Sequence, residues 1–185
     1  MKDSGSHNKI IRYVCKDILL PAGIFQKGTS RVYFDDNGYF LTMIEFQPSS
    51  WSCGTYLNIG LSFLWNERDY FAYDFTPFIG ARAMDYVACQ NDEQFERAVK
   101  QYAEAALKHA LIFRNLRNID YAIQYFEKWK QKRESSTIIL EMLNKFDSDE
   151  VQSTIKRTRE FWHSKPSMKK MPIREKIFCT SNQGR

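Results

Sequence analysis

The sequence predicts an α+β fold, a twisted antiparallel sheet of about four strands packed by helices with a C-terminal helical extension. Three observations carry this prediction. Residues 31–64 hold three strand-like runs, the first two joined by Asn37-Gly38. Residues 91–129 place apolar side chains at helical spacing. The charge balance then changes. Residues 1–127 hold 13 Lys+Arg against 15 Asp+Glu, whereas residues 128–185 hold 14 against 7, so the net charge of +5 belongs to the C-terminal part.

A chain of 185 residues is one domain, or one domain with an appendage, and can bury a real core without disulfides. The expected organisation is a sheet-and-helix domain over 1–133, a helical hairpin over 134–163 and a basic, mobile tail over 164–185. Four scattered cysteines without a Cys-x-x-Cys pair suit reduced thiols. No run approaches the roughly 18 apolar residues of a membrane span. Met1–His7 is polar, unlike a secretory signal. A soluble, cytoplasmic protein with no membrane partner is the expectation.

In chain order, Ile10, Ile11, Val14, Ile18 and Leu19 form one helical stripe that Pro21 and Gly23 stop. Phe25 begins an extended passage. Arg31–Asp35 alternates polar and apolar as a half-buried strand does. Asn37-Gly38 is a strong hairpin signal, because both residues tolerate positive φ. The second strand, Tyr39 to about Gln47, is apolar on both faces except for Glu45 and Gln47, which places it centrally. Pro48 marks its end. After a bend over 49–54, the third strand points Thr55, Leu57, Ile59, Leu61 and Phe63 to the core. Its other face shows Tyr56, Asn58, Gly60 and Ser62.

Residues 65–80 read as a long aromatic connection. Ala81–Cys89 reads as a fourth strand, with a helix as the alternative. Asn91 with Gln94 is a capping box that opens a long helix, and Asn118 caps the next, with Ile119, Ala122, Phe126 and Trp129 as its stripe. The hairpin pairs a helix over 136–146 with one that Asp147 and Glu150 cap.

The passage from about Ile11 to Trp129 resembles a bacterial family of uncharacterised proteins, domain of unknown function 4304. The likeness rests on Pro21 and Gly23, then Lys27-Gly28, the aromatic strand Val32–Phe34, and above all Phe46, Gln47, Ser49, Trp51, Gly54, Asn58 and Gly60. Ser50 stands where the family usually has a basic residue. The resemblance implies an antiparallel sheet with helices packed on it, and no reaction.

Gln47, Tyr56, Asn58 and Ser62, with Arg82 and Trp51 nearby, are the candidate residues for binding a partner protein or a small polar ligand. Gly60 leaves room among them. Three of them have a plainer structural role. Asn58 and Gln47 satisfy the backbone of the bend, and Trp51 folds back to close the end of the sheet; these are the preferred readings. Glu45 is a lone carboxylate, a poor basis for acid–base catalysis, so no catalytic residue is assigned. His7, His109 and His163 lie far apart in sequence and read as surface or boundary side chains. Cys53 reads as a small packed thiol. No metal ligand and no cofactor are expected.

The basic C-terminal region offers Lys156, Arg157, Arg159, Lys169 and Lys170, among aromatics, as a nucleic-acid contact; a solvated end is the plainer reading. The expected function is therefore a non-enzymatic binding protein. Nucleic-acid binding through the C-terminal region is the alternative, and an enzyme using Glu45, Asn58 and Tyr56 is the third possibility.

Overall fold

A computed structural model of the chain describes residues 4–168, with side chains from residue 6 onward. Among these residues the elements are α1 (Ser4–Ile18), β1 (Phe25–Gln26), β2 (Val32–Asp36), β3 (Phe40–Pro48), β4 (Gly54–Phe63), β5 (Arg82–Ala88), α2 (Asp92–Phe113), α3 (Ile119–Glu127), α4 (Ser135–Asn144) and α5 (Asp149–Ser164). The strands form one antiparallel sheet in the order β1-β2-β3-β4-β5. The fold is α+β as the sequence predicts, with five strands rather than four. The additional strand is β1, two residues whose only ladder partners are Phe34 and Tyr33. Among the described residues no helix is long and apolar enough to cross a membrane.

Register sorts the side chains onto two faces. Glu45 lies opposite Asn58, Met43 opposite Gly60 and Phe34 opposite Met43. One face therefore carries Tyr33, Phe40, Ile44, Phe46, Leu57, Ile59, Leu61 and Phe63, all buried. On that side α2 packs against β3, β4 and β5, and α1 packs on α2. Each fully buried side chain of this size contributes about 1.5–3 kcal/mol.

The second face is also covered. Phe71, from the long connection after β4, stacks between Phe34 and Trp162 of α5, with ring centroids 4.4 and 3.8 Å away. Phe146, Val151, Ile155 and Trp162 belong to the same buried cluster as the sheet. Helix α5 thus covers this second face through Trp162 and Arg159, while α4 packs on α3. Beyond α5, Met168 is fully buried, and the Gly28 amide donates to the Ser167 carbonyl at 2.9 Å.

Local signals act as expected at most element ends. Asn91 and Asn118 accept the third amide of α2 and α3, each at 2.8 Å. The cap of α5 is Ser148, not Asp147: its hydroxyl accepts from the Val151 amide at 3.4 Å. Trp129 falls two residues past the end of α3 and packs edge-on against Phe75. In the β2–β3 turn only Gly38 adopts a positive φ, 91°. Asn37 is buried instead in a polar network, donating to Thr42 and accepting from Arg117 at 2.8 Å.

Candidate functional site

The polar face of β4 is a row built across three strands. Asn58 sits between Glu45 on β3 and Arg82 on β5. Its amide donates to Gln47 Oε1 at 2.8 Å and to Glu45 Oε2 at 3.2 Å. Arg82 donates to the same Gln47 oxygen at 3.2 Å and lies 3.7 Å from the centre of the Tyr56 ring, a cation–π contact. Gln47, Tyr56, Asn58 and Arg82 therefore come together as the sequence predicts. Ser62 shares their face and is buried, but joins none of these hydrogen bonds.

The detail differs from the expectation in two ways. The Asn58 Nδ2 and Gln47 Oε1 pair with each other and with Glu45 and Arg82 rather than with the backbone of the bend. The row is also roofed. Tyr73 lies over Gly60, where an added Cβ would be 2.4 Å from its ring. Burial drives the Tyr73 hydroxyl pKa far up, and the Glu45 charge adds to this. Asn58 is left 5% exposed, and its Oδ1, Arg82 Nε and Tyr73 hydroxyl are buried without a partner among the described residues.

The bend before β4 stands clear of this roof. Trp51 is 96% exposed, so it does not fold back to close the sheet. The space under the bend is already taken. The Tyr86 hydroxyl, on β5, donates to the Cys53 carbonyl at 2.8 Å and lies 2.6 Å from Ser52 Oγ. The Tyr86 ring packs on Tyr56 at 5.2 Å. Gly54 is pressed against β5, where a Cβ would be 2.1 Å from the Val87 carbonyl. The bend is thus anchored at its base and presents its tryptophan outward.

On the other side of the bend lies a cluster that sequence reasoning missed. His7, in the first turns of α1, is 2% exposed rather than at the surface. Its ring meets Phe95 edge-on at 5.3 Å, and Cys53 Sγ lies 2.7 Å from its Nδ1. Cys89 and Asp92 bring their ligand atoms within 4.8 Å of one another and of His7. Arg31 is close by. Burial lowers its pKa, and charge on Cys53 and then on Tyr33 acts the opposite way. No spacing signals this assembly, because His7 and Cys53 are 46 positions apart.

The basic C-terminal candidates are dispersed. Arg159 is ion-paired with the buried Asp36, and its side chain is 17% exposed. Arg157 pairs with Glu67 at 2.7 Å on the surface. Lys156 is exposed, whereas Lys169, Lys170 and most of the tail lie outside the described residues. The helix therefore turns one of its three basic candidates inward.

No protein-family model, curated protein or solved structure matches this chain. The family likeness set out above rests on its sequence landmarks alone.

Proposed function

We propose that the chain is a binding protein that recognises another protein through the Trp51 bend, braced by the Tyr86–Tyr56–Arg82 stack. The observation that carries this reading is the 96% exposure of Trp51 on a bend tied down at its base. Covering an indole removes about 150–250 Å² from water, worth roughly 4–6 kcal/mol. The fold makes no use of that energy, so it is available to a partner. Tryptophan is enriched at the centres of interfaces for this reason. The roof of Tyr73 over the inner polar row favours a surface partner over a small ligand at Asn58.

The test is Trp51→Ala. Its midpoint in denaturant should stay within about 0.5 kcal/mol of wild type. Proteins retained from a native lysate by the immobilised wild-type chain should be lost. Iodide quenching provides an independent reading, because Trp65 and Trp162 are buried and Trp129 is half-buried. A partner should protect the quenchable signal of Trp51. Unfolding of the variant, or retention unchanged by it, would overturn the reading.

A further inference from the structure

We infer that His7, Cys53, Cys89 and Asp92 form a site for a thiophilic divalent cation of the zinc type. Three separate segments meet there: the start of α1, the residue before β4, and the turn from β5 into α2. The Cys89 amide donates to the Cys53 carbonyl at 2.8 Å, beside the Gly54–Ala88 ladder pair. The two cysteines are therefore cross-strand neighbours. Asp92 is the first residue of α2, and Ser6 Oγ donates to its Oδ2 at 3.1 Å. Phe95, one turn further, holds the imidazole from the side.

The distances suit a cation. Ligand atoms of His7, Cys89 and Asp92 lie within 4.8 Å of one another; Cys53 Sγ stands outside that trio, 2.7 Å from His7 Nδ1 and 3.5 Å from its Nε2. Tetrahedral zinc, with bonds of about 2.0–2.3 Å, sets its donors roughly 3.3–3.8 Å apart. The trio closes on the cation by side-chain rotation, and Cys53 completes the set by swinging its thiol off His7 Nδ1. Two sulfurs, one imidazole and one carboxylate match zinc and not calcium or magnesium, which take oxygen ligands. The burial argument agrees. His7 is 2% exposed, and a thiol is a weak hydrogen-bond partner for a buried imidazole. A cation on the ring satisfies it better. The Ser6 hydroxyl holds the carboxylate from outside, as outer partners of metal ligands do.

The experiment titrates the untagged, reduced full chain with cobalt(II), then displaces it with zinc(II). One equivalent of tetrahedral cobalt is expected, with thiolate-to-cobalt charge transfer that zinc removes. Cys53→Ser should lower that band by about half, and Cys53→Ser with Cys89→Ser should abolish it. Ser6→Ala should weaken zinc binding about 10–100-fold. Circular dichroism checks that each variant folds, and exposed Cys53 keeps the test open if Cys89→Ser does not. Absence of stoichiometric cobalt, or charge transfer that survives the double substitution, would overturn the site.

Discussion

Asp35 and Asp36 are consecutive in β2 and both fully buried, yet they meet arginines on opposite faces of the sheet. Arg114, at the end of α2, grips Asp35 with two bonds of 2.8 and 2.9 Å. Arg159, in α5, pairs with Asp36. One dipeptide thus ties both covering layers to the same strand. A buried carboxylate without a partner is costly, so each helix must present its arginine in register with β2.

Arg159→Met should cost about 3–5 kcal/mol in denaturant, because it leaves the buried Asp36 without its arginine. Adding Asp36→Asn should recover at least half of that loss, since the amide is neutral and can still accept the Gly38 amide, now 2.9 Å from Asp36. A single-variant loss under about 1 kcal/mol would mean that the pair behaves as a surface contact.

Gly60→Ala should destabilise by about 1–3 kcal/mol, the range for overpacking. The new methyl would be 2.4 Å from Tyr73 Cδ1 and 2.8 Å from the Phe75 carbonyl, so the whole roof must lift. Equilibrium unfolding measures the cost. A gain in near-surface Tyr73 reactivity should accompany it.

Mild acid should weaken the fold through two histidines. Burial and then Lys108 hold the His109 pKa below 6.5. Burial also lowers His163, with Asp36 opposing and Arg159 adding to the shift. The unfolded chain then takes up protons first. The contribution is fully present above about pH 6.5 and is lost as pH falls through the folded values. Denaturation midpoints at pH 7.5 and 5.5 check this, and His109→Gln with His163→Gln should reduce the difference.

Cys15 should resist alkylation in the native state. It is 1% exposed, and burial pushes its thiol up to about 12, with a hydrogen bond to Tyr33 pulling the other way. At pH 8 roughly one molecule in ten thousand would be the reactive thiolate. Mass-mapped labelling of the metal-free chain should find exposed Cys53 modified and Cys15 intact until denaturant is added.

What the sequence discloses follows from how local each cause is. Asn91 and Asn118 cap their own helices within three residues, so their role is visible in the string. The alternation of β4 is visible because its period is two. Strand β1 is not, since two residues have no period and exist as a strand only through Phe34 and Tyr33. Ser148 and Asp147 are both capping types, and only the backbone decides between them. Trp51 was expected inside because large aromatics usually are, but Tyr86 fills the space under the bend. Gln47, Tyr56, Asn58 and Arg82 were legible as a group because three neighbouring strands place them side by side. His7 with Cys53, and Asp36 with Arg159, depend on packing across 46 and 123 positions, and no local pattern encodes that.

The bond from Gly28 to Ser167 and the ion pair from Asp36 to Arg159 also set a timetable. A ribosome adding about 5–20 residues per second needs roughly 6–25 s to travel the 123 positions from Asp36 to Arg159. The side of the sheet that α2 covers can assemble within that interval from α1 and α2. The side bearing Phe34, Phe71 and Asp36 waits, aromatic and uncovered, until α5 emerges. The nascent chain thus passes through a stage with a finished front and a sticky back, and residues 149–168 are the segment whose synthesis ends its exposure to aggregation.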